Sequence, residues 1–391
     1  MKRIITFLLT IVLLLNVTGV FSLADDAGYG EESVNTLLDN MPDILSGYLI
    51  EAETGKVLFS KNELEAASPA SVTKIMTLLL VAEALDGGMF DLTDTVSVSA
   101  YAASMGGSQV FLEEGERMSV EDLIKCTVIA SANDAAVALA ELVAGSESEF
   151  VRRMNEKGKE LGLSNTHFEN TTGLDDTAEN HYSCSADIGK MSVALIKHEI
   201  ILKYSSVWQD TIRNGEFTLT NTNRLVRYYD GCNGLKTGST DKAGYCVSAT
   251  AKRGNMQLVA VVMGADTRDH RNEAARMMLD YGFANYSLAE FPECYLEKIP
   301  VLSGDADLVS AYTGGFHAVL KRGDDKRVEE KFEIPESVNA PIQKGDNIGR
   351  VKYYLDGEEI GECKIYAGES VGKIKFFDIV CKIFKIIVAG S

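Results

Sequence analysis

The stretch SPASVTKIMTLLLVAEALDGG, residues 68–88, decides how the rest of the chain is read. Ser68 suits a helix N-cap and Pro69 the first helical position, while Asp86-Gly87-Gly88 is a plausible stop. Between them Val72, Ile75, Met76, Leu78, Leu79, Leu80 and Val81 cover nearly every face, so the spacing predicts a central, buried helix. Lys74 sits inside it, three residues after Ser71 and on the same face. A buried ammonium is costly unless it is paired, deprotonated or at work. Desolvation lowers a lysine pKa and frees its amine to act as a base. Ser71, in a first helical turn whose free N–H groups favour developing negative charge, is then a nucleophile with its activator beside it. Alone the SxxK spacing is weak, because a helical serine beside a snorkelling lysine is common.

Working outward, SGYLIEA (46–52) and KVLFSK (56–61) flank Glu53-Thr54-Gly55 and read as a hairpin. Further helices fit Ser119–Ala130, with Ser119 and Asp122 in a capping arrangement, Asp134–Val143 and Ser148–Leu161. After residue 235, GYCVSATAK and MQLVAVVMGA are two core strands around Arg253-Gly254-Asn255, and Asn272–Tyr281 returns to helix. Strands at both sequence ends with helices between them predict an α/β or α+β layer over residues 45–290. From about Phe291 the helical signal stops. HAVLKR, EKFEIP and RVKYYL alternate, and Asp356-Gly357 is a two-residue hairpin signal, so residues 291–369 read as a small all-β domain.

The two ends of the chain read differently. Residues 1–24 place Lys2 and Arg3 before an apolar run, Ile4 to Leu15, and end on Ser22-Leu23-Ala24, the pattern of a cleaved secretory signal; an uncleaved anchor is the other reading. Residues 25–44 form a polar, acidic leader. In residues 370–391, Lys375, Asp378, Lys382 and Lys385 share one helical face and Ile374, Phe377, Ile379, Val380, Ile383, Phe384, Ile386 and Ile387 fill most of the rest. That is a basic amphipathic helix suited to a membrane interface and too short and charged to span one; packing against the β domain is the alternative.

The chain carries a net charge of −19, and losing Lys2 and Arg3 with the signal takes it to −21, which excludes a nucleic-acid binder. Seven cysteines (126, 184, 232, 246, 294, 363, 381) are odd in number, with no CxxC and no metal-like cluster with histidine. Their dispersed spacing suggests mostly buried, reduced thiols, and leaves any pairing open.

Two more motifs raise the weight of Ser71 and Lys74. Ser131-Ala132-Asn133 falls at a break between two apolar helices, where hydroxyl and amide can face one cleft. Lys236-Thr237-Gly238, ahead of the first core strand, offers a cation, a hydroxyl and a glycine that admits close backbone approach. SxxK, a Ser-x-Asn and Lys-Thr-Gly in this order are the signature of penicillin-binding proteins and class A β-lactamases. The gaps are domain-sized: Ser131 lies 60 residues after Ser71, and Lys236 lies 105 after Ser131.

On these motifs the chain resembles the low-molecular-mass penicillin-binding proteins that are D-alanyl-D-alanine carboxypeptidases, the S11 serine peptidases. The resemblance extends through SGYLIEAETGKVLFSKN, SPASVTKIMT, QVFLEEGERMSVEDLIKCTVIASANDAAVALAE, HFENTTGLDD, NGLKTGSTDKAGYCVSATAKR and LDYGF, about residues 45–285, with Ala132 where glycine is frequent. It implies a penicillin-binding/β-lactamase-like transpeptidase domain with a helical subdomain, followed by the β domain and the terminal helix.

The resemblance also implies roles. Ser71 attacks the bond between two D-alanines and Lys74 takes its proton. Ser131 relays a proton to the leaving amine with Lys236 tuning it, and Asn133 holds the Lys74 amine and the substrate amide. The N–H groups of Ser71 and Ser239 form the oxyanion hole beside Gly238. Thr237, with Thr240, binds the terminal carboxylate, and Arg271, just before the last helix of the first domain, adds charge there; an ordinary surface arginine is the alternative for Arg271. The partners implied are peptidoglycan stem peptides ending in D-Ala-D-Ala, β-lactams, and a membrane surface outside the cytoplasm; no metal or organic cofactor is needed. A β-lactamase shares the motifs and requires a glutamate-held water, for which Glu169 is the candidate. A catalytically idle wall-binding scaffold is the rival of another class, and transpeptidase or endopeptidase chemistry shares the same acyl-enzyme.

Overall fold

The computed structural model of the chain describes residues 34–175 and 178–380. The expected signal and residues 25–33 of the leader lie outside these residues, as do Cys381 and the Lys382 and Lys385 of the expected terminal helix; the rest of the leader is not loose, since Val34–Asn40 is helical with Leu37 buried.

Five strands, β1 (Ser46–Glu51), β2 (Val57–Lys61), β3 (Cys232–Thr240), β4 (Gly244–Arg253) and β5 (Met256–Ala265), form an antiparallel sheet in the order β2-β1-β5-β4-β3. β4 and β5 are buried along most of their length because both faces of the sheet are covered. Their apolar runs follow from that two-sided burial. Strand periodicity divides β5 between two cores: Val259, Val261 and Met263 enter one, and Leu258, Ala260 and Val262 the other. The first core is built with α1 (Lys74–Asp86), α2 (Val120–Ile129), α3 (Asn133–Ala144), α4 (Glu147–Glu160) and α5 (Ser185–Leu195). The second lies under α6 (Arg268–Asn285), whose Ala274, Ala275, Met278 and Leu279 are fully buried.

α1 is buried on every side from Lys74 to Ala82, as its all-round apolar sequence requires. Each large apolar side chain there contributes about 1.5–3 kcal/mol on burial, which fixes the helix that carries Lys74. Its start differs from the expectation. A short 3-10 turn, Ala70–Thr73, precedes it, and Ala70 has a left-handed backbone (φ 47). The Ser68 hydroxyl caps nothing; it donates to Asp175 Oδ1 at 2.8 Å. Two other boundaries shift. Lys236-Thr237-Gly238 lies within β3, an edge strand of the sheet, and not ahead of it. α6 begins at Arg268, so Arg271 sits in its first turn and not before it. The Ser119 cap is as expected, its hydroxyl accepting the Asp122 N–H at 3.1 Å.

The C-terminal region, from Tyr286, is β-rich. β6 (Tyr286–Phe291) pairs with β9 (Phe316–Lys321). β7 (Tyr295–Leu302), β8 (Leu308–Thr313), β10 (Val328–Glu333), β11 (Val338–Asn339), β12 (Asn347–Leu355) and β13 (Glu358–Ala367) form a sheet in the order β10-β12-β13-β8-β7-β11. Asp356 (φ 51) and Gly357 (φ 88) close the β12–β13 hairpin, the two positive φ values of a type I′ turn. Lys56 Nζ donates to the Val319 carbonyl at 2.8 Å and ties this region to the first sheet. Val371 and Lys373 bridge into the β domain, and residues 376–380 form the last described helical stretch. All six described cysteines are free thiols; Cys126, Cys184, Cys246 and Cys363 are buried, and Cys294 is exposed.

Candidate active site

The three motifs meet at one cleft of ≈ 660 Å³, lined by Ser71, Ser131, Thr237, Gly238, Ser239 and Arg271 among others. Each arrives on a different element. Ser71 rides the 3-10 turn ahead of α1, and Ser131 occupies the break between α2 and α3 in a left-handed conformation (φ 63). Strained non-glycine backbone of this kind persists only where surrounding structure holds it, and it concentrates at functional sites. Thr237, Gly238 and Ser239 lie on the edge strand β3, whose outer side leaves backbone N–H and C=O groups unpaired by the sheet.

Lys74 Nζ stands 2.9 Å from Ser71 Oγ and 2.9 Å from the Thr172 carbonyl oxygen. The amine is fully buried. Burial lowers its pKa well below the ordinary 10.5, the nearby Lys236 charge lowers it further, and Asp134 opposes this only in part. Asp134 is itself engaged, accepting the N–H groups of Val110, Leu112 and Ala135. The pair is therefore a serine hydroxyl in hydrogen-bond contact with an amine pushed toward its neutral form, a nucleophile with its base.

Thr172 is the partner that side-chain reasoning missed. It lies in the loop NTTG, residues 170–173. Thr77 Oγ1 donates to the Thr171 carbonyl at 2.7 Å, and Asn170 Oδ1 accepts the Gly173 N–H at 2.7 Å. Gly173 (φ 81) lies so close to the 3-10 turn ahead of α1 that a Cβ there would meet the Ala70 carbonyl oxygen at 1.8 Å. The turn-rich composition of HFENTTGLDD is the only sequence signal for this loop. Next to Lys74, Thr73 Oγ1 meets His181 Nε2 at 2.8 Å. The Glu169 N–H donates to His181 Nδ1, so Nε2 carries the proton and donates to Thr73. Burial lowers the His181 pKa to about 4, which keeps the ring neutral.

Lys236 Nζ donates to Ser131 Oγ at 2.8 Å and to the Thr237 carbonyl at 2.8 Å. Burial first, and then the Arg271 charge, lower it to about 7. Thr237 Oγ1 donates to Thr222 Oγ1 at 2.8 Å. Arg271 is 3% exposed and no surface residue; its Nε and Nη2 are steadied by Asn272 Oδ1. Two expected contacts are absent. Asn133 does not hold the Lys74 amine: its Nδ2 donates to the Gly106 carbonyl at 2.7 Å, and the Thr172 carbonyl takes the place beside Lys74. Asn133 Oδ1 is buried with no hydrogen-bond partner among the described residues. Thr240 does not line the cleft; its Oγ1 accepts the Ala243 N–H at 3.0 Å and closes the β3–β4 turn. Glu169, the candidate for a water-holding glutamate, is exposed and accepts the Asn180 N–H at 3.0 Å, away from the cleft lining.

Gly238 decides how near β3 comes to Ser71. A Cβ there would sit 2.8 Å from the Ser71 nitrogen and 2.9 Å from both the Pro69 oxygen and the Val72 nitrogen. All three are backbone atoms and cannot rotate away. Gly238→Ala is therefore expected to push β3 from the nucleophile and lower β-lactam acylation by about 10²-fold, the scale for an ångström of misplacement, with the circular-dichroism spectrum unchanged. Wild-type acylation in that variant would show that the close approach is not needed.

Residues 41–267 match the model of the D-alanyl-D-alanine carboxypeptidase family, and residues 293–373 match that of the penicillin-binding protein 5 C-terminal domain. The chain is 45% identical over 338 residues to the D-alanyl-D-alanine carboxypeptidase DacF of Bacillus subtilis, covering 85% of this chain and 86% of that protein. It is 32% identical over 372 residues to the D-alanyl-D-alanine carboxypeptidase DacA of Escherichia coli, covering 90% of each. Among solved structures, penicillin-binding protein 5 of Haemophilus influenzae aligns with a TM-score of 0.75 and 32% identity, covering 85% of this chain and 99% of that one.

Proposed function

The chain belongs to the D-alanyl-D-alanine carboxypeptidase family and is a serine-type D-Ala-D-Ala carboxypeptidase acting on peptidoglycan pentapeptides, and from that premise we propose which of its residues do the work. The observation that carries the assignment is the 2.9 Å contact between Ser71 Oγ and a buried amine with a lowered pKa. Ser71 Oγ attacks the carbonyl carbon of the penultimate D-alanine as Lys74 takes its proton. The N–H groups of Ser71 and Ser239 receive the developing oxyanion, and preorganised donors there are worth about 10²–10³-fold each. Ser131, with Lys236 at its hydroxyl, passes a proton to the leaving D-alanine amine. The unpaired Asn133 Oδ1 accepts the substrate amide N–H, which removes an otherwise costly orphan acceptor. Thr237 and Arg271 hold the terminal carboxylate. Water then cleaves the Ser71 ester.

A β-lactam carbonyl enters the same step. Penicillin-binding protein D2 of Listeria monocytogenes, 30% identical over 61% of this chain, was solved in an ampicillin-bound form. The test is free D-alanine released from a pentapeptide ending in D-Ala-D-Ala. Release at the rate of a no-enzyme control contradicts the reading.

The setting belongs to the same proposal. Residues 1–24 serve as a secretory signal, the enzyme works on the outer face of the cytoplasmic membrane in wall maturation and cell shape, and the C-terminal segment holds it there. Phe376, Phe377, Ile379 and Val380 are exposed large apolar residues next to Lys375, and no helix among the described residues is long and apolar enough to cross a membrane. Val371 is buried in the β domain and the Ile374 N–H donates to the Ser303 carbonyl, so a truncation has to spare residues up to 374. Deleting residues 376–391 is expected to abolish co-sedimentation with anionic vesicles while leaving D-alanine release from small peptides unchanged. Each lysine of the segment contributes about 1 kcal/mol near an anionic surface, so binding by the intact chain should weaken with salt. Equal sedimentation of both forms would place any attachment elsewhere.

A further inference from the structure

The β domain carries a row of aromatic side chains that the catalytic chemistry does not use. β7, β8, β13 and β12 are neighbours in its sheet. Their register sets Tyr295 opposite Tyr312, Tyr312 opposite Tyr366, and Tyr366 opposite Asn347. Val309, Ala311, Ile365 and Ala367 alternate with these positions and fill the core, so the strand period turns Tyr312 and Tyr366 to the outer face. The ring centroids lie 6.2 Å apart from Tyr295 to Tyr312 and 5.6 Å apart from Tyr312 to Tyr366, with the planes tilted by 50° and 35°. Cross-strand ring pairs stabilise a sheet where they bury one another. Tyr295 is 87% exposed, so burial does not account for its place at the end of the row. Internal hydrogen bonds do not account for it either. Tyr229 donates to Asp280 and Tyr101 to Glu147, whereas none of the three hydroxyls in the row has a partner among the described residues.

Charge narrows what fits there. In a chain with a net charge of −19, the four positions from Tyr295 to Asn347 carry none. The acids beside the row are engaged. Glu362 pairs with Arg350 at 3.2 Å, and the Ser310 N–H, then the Lys298 charge, hold the Glu369 carboxyl below the usual carboxylate range. The matching occupant is neutral, with apolar C–H faces for the rings and polar edges for the hydroxyls and the Asn347 amide. A pyranose unit has both, and its length along a β-1,4-linked chain is close to each centroid step. The stem peptides cleaved at Ser71 hang from such a chain, a polymer of N-acetylated hexosamines. A bilayer interface also takes exposed tyrosines, but it sets no spacing between them.

We propose that Tyr295, Tyr312 and Tyr366, with Asn347, form a binding site for the glycan strand that carries the stem peptides. None of the four lines the catalytic cleft. Holding the polymer at a second site raises the local concentration of stem peptides at Ser71 without a new contact to the peptide. The inference rests on the family reading above for the identity of the polymer.

The test uses the full chain after signal removal, titrated calorimetrically with peptide-free glycan strands of alternating N-acetylglucosamine and N-acetylmuramic acid. Wild type is expected to bind them, and Tyr295→Ala to bind about tenfold more weakly, the loss of one exposed aromatic anchor. Tyr295→Phe keeps the ring and should retain most of the binding. Because Tyr295 is so exposed, the alanine variant should keep its circular-dichroism spectrum and its D-alanine release from free pentapeptide. Its release of D-alanine from pentapeptides carried on polymeric glycan should fall by about tenfold. A wild-type enzyme that does not bind the strands, or equal binding by wild type, Tyr295→Ala and Tyr295→Ala/Tyr366→Ala, overturns the site. Tyrosine variants that lose sedimentation with anionic vesicles but keep glycan binding assign the row to the membrane and overturn it too. Absence of D-alanine release from free pentapeptide overturns the catalytic reading instead, and the glycan titration still decides the site.

Discussion

Ser71→Ala abolishes covalent labelling by penicillin and lowers D-alanine release by roughly 10⁶-fold, the scale of loss when a nucleophile is removed from a unit that works together. The variant should fold. Ser71 is only half-buried, and losing its hydroxyl leaves Lys74 Nζ still paired to the Thr172 carbonyl. Intact-protein mass after incubation with a penicillin reads the result directly. A Ser71→Ala protein that still gains the penicillin mass would move the nucleophile elsewhere, and Ser131, whose hydroxyl is bound to Lys236, would be the next residue to examine.

Lys74→Arg should fall by about 10²–10⁴-fold in acylation, the usual worth of a positioned base, and raising the pH should not rescue it. A guanidinium stays protonated in proteins and cannot take the Ser71 proton. Lys74→Met separates chemistry from packing, since methionine follows the lysine stem into the same buried site without an amine. It should be as inactive as the arginine variant and keep its fold at a cost of about 1–3 kcal/mol, because the Thr172 carbonyl loses its Lys74 partner. An active Lys74→Met enzyme would reduce Lys74 to a structural residue.

The parts of this site that rest on local periodicity are legible in the amino-acid sequence. α1 reads as buried because its apolar residues leave no polar face, and a lysine in such a helix demands an account. The β4–β5 hairpin and the Asp356-Gly357 turn are legible for the same reason: strand alternation and turn chemistry act over a few residues. What the sequence conceals depends on distant contacts. Ser68 reads as a cap, and its hydroxyl instead finds Asp175, 107 residues away. Asn233, Gly234 and Gly238 make β3 read as a lead-in to a strand, and pairing with β4 makes it one. The Thr172 carbonyl is a backbone group and leaves no side-chain signature. The depth of Arg271 follows from how α6 lies over the sheet, which no helical period records. Side-chain identity locates the nucleophile, its base and the Ser131–Lys236 pair, while backbone placement supplies the contact that holds the base.

The central claim is that Lys74 meets Ser71 as a free amine at working pH. The acylation rate constant of the wild-type enzyme with a penicillin, followed from about pH 5 to 10 with Ser71→Ala as the blank, tests it most directly. The account predicts a rate that rises with pH through a midpoint well below the ordinary lysine value of 10.5 and then levels off. A rate that keeps climbing toward 10.5, or one that does not depend on pH, would contradict it.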